Sequence, residues 1–181
     1  FGVLFGESQS ASALYRERAT RYEAFADRAA GLPESRRPHI MVNAPWQGTW
    51  AVPAGESYMA RLFADAGGRY LWATTEGAGS LFLDLEAVLS RARDADYWFN
   101  LNYGWTSRRD AIAADPRLAT FAPYQSRRMY HYNRRVRPEG ANDFWETGSA
   151  RPDLVLADLI HIMHPDLVPN HDLYYYRRID P

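Results

Sequence analysis

His39-Ile-Met-Val-Asn-Ala-Pro45 opens the stretch that decides the fold, and Glu56-Ser-Tyr-Met-Ala-Arg-Leu-Phe-Ala-Asp-Ala66 with Gly67-Gly68 closes it. The first piece is short, largely apolar and ended by a proline, which reads as a buried strand. The second carries Tyr58, Met59, Leu62, Phe63 and Ala66, the i, i+3, i+4 spacing of a helix packed on a sheet. Gly67-Gly68 stops it, because glycine enters the left-handed cap at no steric cost. Between strand and helix lie Trp46-Gln-Gly-Thr-Trp50 and Val52-Pro-Ala-Gly55. In an open α/β sheet, ligands sit at the carboxyl ends of strands. Trp46 and Trp50, with Gln47 and Thr49 as hydrogen-bonding groups, therefore read as a ligand-facing loop. The competing reading is that both rings plug the core.

Upstream, Leu14, Tyr15, Tyr22, Phe25, Ala26 and Ala29 form a narrow apolar stripe on a long helix. Ser8 or Ser10 is its expected cap, and Gly31 and Pro33 end it. Downstream, Tyr70 to Ala73 and Ala95 to Leu101 read as strands, with a helix between them from Leu83 or Asp84 to Arg91. Thr106 or Ser107 caps a helix to Ala114. Arg128 to Tyr132 is a further strand, Asn133 to Thr147 a long loop, and Ala150 to Met163 the last long helix. Strands alternating with helices predict an α/β lobe of three layers, a mainly parallel sheet flanked by helices and preceded by a long linker helix.

A length of 181 residues suits one domain, or one domain and a tail. All 21 basic residues are arginine, and a formal charge of −1 gives no reason to expect a nucleic-acid partner. Without cysteine there is no disulfide, thiolate nucleophile or zinc–thiolate site. No run of eighteen apolar residues is long enough to span a membrane. The chain opens on Phe1, without methionine or signal peptide, as an excised fragment would. No nucleophile elbow, Walker loop or dinucleotide fingerprint occurs, so no catalytic residue and no cofactor is assigned. His161 and His164 have metal-ligand spacing on a helix but no clear carboxylate companion. Pairing with carbonyls near the helix end is expected instead, and no metal site is assigned.

Trp46, Trp50, Tyr103, Trp105, Phe144 and Trp145 fall in three loops that follow strands. Gln47, Asn102, Arg134, Asn142 and Asp143 accompany them. Parallel pairing would open all three loops at one sheet edge, with Trp46, Trp50, Trp105 and Trp145 lining one open face. Flat apolar groups dotted with amides and arginine suit a bulky, partly polar ligand with acidic groups, which Arg134 would meet.

Several pieces together resemble the carboxyl-terminal lobe of periplasmic substrate-binding proteins of ABC importers, in the class that carries vitamin B12, ferric siderophores and haem. These are the long helix before Gly31, Gly55-Glu-Ser-Tyr-Met59 with its helix ending Ala66-Gly-Gly68, Ser80-Leu-Phe-Leu-Asp-Leu-Glu86, the strand Ala95 to Leu101, and the closing run Arg151 to Leu167. The resemblance implies an inter-lobe helix over residues 1–37 and the second α/β lobe over 38–181, with the first lobe absent. It also implies a metal-chelate or corrinoid ligand, an ABC permease as partner, and a periplasmic location, free or lipid-anchored in the full-length parent. Glu86, which begins a helix after the Ser80–Glu86 loop, would pair with arginines of the permease. The alternatives are an α/β enzyme with Asp143 and Glu146 as acid and base, or a sensor or adaptor domain that uses the aromatic edge for a protein partner.

Overall fold

A computed structural model describes residues 6–180. Helix α1 (Ser8–Ala30) comes first; its N-cap is Glu7, and neither expected serine caps it. Ser10 Oγ instead donates to Glu7 Oε2 at 2.9 Å. Five short strands form the main sheet: β1 (His39–Val42), β3 (Arg69–Tyr70), β5 (Tyr97–Phe99), β6 (Met129–His131) and β7 (Arg177–Arg178). Their order is β3-β1-β5-β6-β7. The pairs β3–β1, β1–β5 and β5–β6 are parallel, and β7 runs antiparallel on the edge of β6. The crossovers pass through α2 (Tyr58–Asp65), α3 (Leu85–Ala92) and α4 and α5 (Arg108–Ala114, Ala122–Gln125). Helices α6 (Asp143–Thr147) and α7 (Pro152–Met163) follow β6.

Alternation along β5 builds the two sides of the core. Phe99 meets Phe63 of α2 with ring centroids 5.6 Å apart, and the Tyr97 hydroxyl donates to Ile162 O of α7. Trp98 points the other way, against Trp50 and Phe121.

One element escapes a local reading of the sequence. β2 (Trp50–Pro53) pairs antiparallel with β4 (Ser80–Leu83) as a separate two-stranded ribbon. It begins at a hairpin in which Trp46 and Thr49 exchange backbone hydrogen bonds of 2.8 and 3.0 Å. Gln47 and Gly48 between them have φ of 49° and 80°, the left-handed pair that a two-residue hairpin loop requires.

Buried carboxylates fix α1 and the C-terminal segment to the lobe. Asp153, fully buried at the start of α7, is held by Arg151 Nε at 3.1 Å and by Arg21 Nε of α1 at 3.2 Å. Asp158, also fully buried, accepts the backbone N–H groups of Tyr174, Tyr175 and Tyr176 and lies 2.6 Å from His171 Nε2. A buried charge of this kind persists because its lone pairs are filled. The N-terminal half of α1 is left open, with Leu14 and Tyr15 exposed.

Candidate functional site

β1, β5 and β6 run parallel, so the loops that follow them leave from one edge of the sheet. Asn43 and Asn100 end β1 and β5 there in the left-handed conformation, with φ of 62° and 54°. Asparagine tolerates that region better than most side chains. Both side chains are committed: Asn43 Nδ2 donates to Ala51 O at 2.7 Å, and Asn100 Oδ1 accepts from the Tyr176 hydroxyl at 2.7 Å.

Above these asparagines is a pocket of about 310 Å³ whose walls include Tyr58, Met59, Tyr132, Phe144, Trp145 and Ser149. Tyr132 and Phe144 stack at 4.2 Å, and Trp145, 65% exposed, stands edge-on to both. Burial raises the Tyr132 phenol to about 12, so it stays a neutral hydrogen-bonding group. A larger groove of about 650 Å³ runs along the open half of α1, past Leu14, Tyr15, Arg18 and Tyr22. Tyr58 and Ser149 belong to both hollows, which makes them neighbours.

A second hollow, of about 440 Å³, gathers Trp46, Gln47, Asn102 and Trp105 with Asp84, Glu86, Asp115 and Arg117. Arg117 bridges the acids: Nη1 lies 2.7 Å from Glu86 Oε1, and Nη2 lies 2.7 Å from Asp115 Oδ2. The Arg117 guanidinium holds the Asp115 carboxyl below its ordinary value.

The expected site residues therefore divide. Trp46, Gln47, Asn102 and Trp105 share one hollow, and Trp145 lines the other. Tyr103 is exposed, and its hydroxyl reaches Gly140 O at 2.6 Å. Arg134 is exposed. Asp143 is held by Arg135 Nε at 2.7 Å, which keeps its carboxyl below the ordinary value.

An open face shared by four tryptophans is not what forms. Trp50 is fully buried, because the ribbon turns its ring inward against Trp98 at 5.6 Å while its Nε1 donates to Val42 O at 2.8 Å. Trp105 is buried edge-on to Trp98, only its rim reaching the second hollow. Asn142 is buried too: its Oδ1 accepts the Phe144 N–H and caps α6. His161 Nδ1 and His164 Nε2 lie 3.0 and 3.3 Å from the carbonyls of Val168 and Gly67, the role expected of them. Among the described residues no group of three or more acidic or histidine side chains could hold a metal.

Asn43, Tyr58, Asn100 and Tyr132 were not expected at the site. The signal for Asn43 and Asn100 was an asparagine directly after an apolar strand.

With this geometry, the fold is that of periplasmic solute-binding proteins of the TroA-like class. A periplasmic solute binding protein from Veillonella parvula is 17% identical with a TM-score of 0.68, covering 95% of this chain and 50% of its own. The periplasmic heme-binding protein RhuT from Roseiflexus sp. RS-1 in apo form is 18% identical, with a TM-score of 0.66 and coverages of 92% and 60%. In sequence, an uncharacterized lipoprotein of Methanocaldococcus jannaschii is 26% identical over 145 residues, which are 77% of this chain and 32% of the lipoprotein. The chain thus spans about half to three fifths of these solved relatives and about a third of the curated one. No protein-family model matches the sequence.

Proposed function

We propose that this chain is the inter-lobe helix (residues 1–37) and second lobe (38–181) of a periplasmic solute-binding protein that serves an ABC importer. The parent is free in the periplasm or lipid-anchored. The observation that carries this reading is the aromatic pocket of Tyr132, Phe144 and Trp145 at the carboxyl ends of three parallel strands, adjoining a groove along the open half of α1. Its apolar walls suit the flat or bulky body of a metal chelate, haem or corrinoid, with Arg134 at the exposed rim for acidic groups. The other wall would come from a preceding lobe, packed beside Leu14 and Tyr15. Glu86, exposed on the first turn of α3, is the docking group for the permease. Asp143 is poorly suited to act as a general acid, because Arg135 stabilises its ionised form, the opposite of what a proton donor needs.

The test is to purify the full-length parent from its native membrane or periplasm and take its visible spectrum. Haem, ferric chelates and corrinoids are all coloured, so one should co-purify or shift the melting temperature on addition. A parent that releases chemically altered product from such a ligand, or that is stabilised by none of the three, overturns the reading.

A further inference from the structure

The two asparagines that end β1 and β5 are each held by one end of the amide only. Val42 and Phe99 are register partners, so Asn43 and Asn100 leave adjacent strands at the same level, and the Asn43 N–H donates to Phe99 O at 3.0 Å. Asn43 turns its amide nitrogen away from the pocket, to Ala51 O. A carbonyl only accepts, so this orientation is set. Asn100 turns its amide oxygen away, to the Tyr176 hydroxyl. Tyr176 is fully buried, and burial keeps its phenol protonated. Its O–H meets no acceptor but Asn100 Oδ1 among the described residues. A buried hydroxyl needs that acceptor, which sets the second amide as well.

What remains is Asn43 Oδ1, an acceptor, and Asn100 Nδ2, a donor. Neither has a hydrogen-bond partner among the described residues, and neither is sealed from solvent. Both asparagines line the aromatic pocket, where Asn100 is only 5% exposed. None of the described side chains lining that pocket is charged. Once a ligand displaces water from the floor, both atoms need partners. A donor beside an acceptor matches a group that offers one of each, the C=O and N–H of a carboxamide. A carboxylate offers acceptors only, and one of its oxygens would be pressed against Asn43 Oδ1. Such a repulsive contact is an effective source of discrimination.

We propose that Asn43 and Asn100 read a carboxamide on the ligand: Asn100 Nδ2 donates to its C=O, and its N–H donates to Asn43 Oδ1. This rests on the aromatic pocket being the ligand site and narrows what enters it. The ligand has an apolar body with uncharged amide edges, and it is not one that enters this lobe carboxylate first.

The experiment titrates 2-naphthamide and 2-naphthoate, the same flat rings with either head group, into the 181-residue chain at neutral pH. The Trp145 indole N–H resonance is followed, after assignment with W145F. Both compounds should shift it saturably, the amide binding about tenfold more tightly, the reach of one hydrogen bond traded for a repulsive contact. N100G and N43G each remove one reading group at a left-handed position that glycine adopts freely. N100G should weaken the amide about fivefold and leave the carboxylate unchanged. N43G, which removes the repelling oxygen, should tighten the carboxylate and narrow the gap from the other side. Naphthoate bound as tightly as the amide by the unaltered chain, or a preference that survives both variants, overturns the amide reading. A saturable Trp145 shift with both compounds and no preference sinks that reading alone. No saturable shift with either compound sinks the aromatic pocket as ligand site, and the amide reading with it.

Discussion

His131 is the place where the fold is most exposed to acid. It is fully buried on β6, neither ring nitrogen has a hydrogen-bond partner, and the guanidinium of Arg177 lies across the strand pair. Burial first, and Arg177 second, push its pKa from 6.5 down to about 4. A depressed histidine stays neutral in the folded chain while the unfolded chain takes up a proton, so stability is complete above the unfolded value of 6.5 and is lost as pH falls towards 4. The full shift corresponds to roughly 3 kcal/mol, of which about 2 kcal/mol is gone by pH 5. In H131L the group is absent. Urea unfolding at pH 8 should find the variant as stable as the parent chain or more so, since two unsatisfied buried nitrogens are removed. Between pH 8 and pH 5 the stability difference should widen in the variant's favour by about 2 kcal/mol. His164, also depressed by burial, is present in both chains and cancels in the difference. A gap that changes by less than about 0.5 kcal/mol would mean that His131 is protonated without cost, refuting the account of it as a dry, unpartnered ring.

Trp145 and Trp50 should separate in a paired test. W145A is expected to leave thermal stability almost unchanged and weaken ligand binding by the parent tenfold or more, while W50A should cost about 3–5 kcal/mol of stability. E86A in the full-length parent should leave ligand affinity intact and reduce uptake when binding protein is limiting, as transport assays would register. Calorimetry on the 181-residue chain should give a Kd of about 1 μM or weaker, because one wall of the proposed cleft is missing. D158A, which strands the buried N–H groups of Tyr175 and Tyr176, the half-buried one of Tyr174, and His171, should destabilise the chain by on the order of 3 kcal/mol in denaturant titration.

The centre of the main sheet was legible because β1, β5 and β6 are compact, largely apolar runs, and α2 and α7 keep their period throughout. β7 was not, because Arg177-Arg178 carries no strand pattern, and β3 ends at Tyr70 rather than at Ala73. The β2–β4 ribbon was not, because its pairing joins residues some thirty positions apart and Pro53 at its end reads locally as loop. That miss carried over to the site. Without the ribbon, Trp50 reads as part of a loop open to ligand; with it, the ring is turned onto Trp98 and belongs to the core. Trp46, only four positions away, stays outside because the Gln47-Gly48 turn reverses the chain between them. The aromatic pocket was half visible through Phe144 and Trp145. Tyr58 and Tyr132 lie within the periodic pattern of a helix and a strand, where a local reading assigns every ring to packing.

The grip of Asp158 on Tyr174, Tyr175 and Tyr176 also governs how this protein behaves in company. β7 is only two residues long, yet it covers the hydrogen-bonding edge of β6. That cover has no length to hold it by ladder bonds alone; one carboxylate in α7 clips it in place. Were the clip to open, the bare backbone of β6 would be presented to any neighbouring chain with a strand to offer, the usual first step of edge-to-edge aggregation. A single buried acid thus acts as a guard of solubility, through its hold on the segment that carries β7.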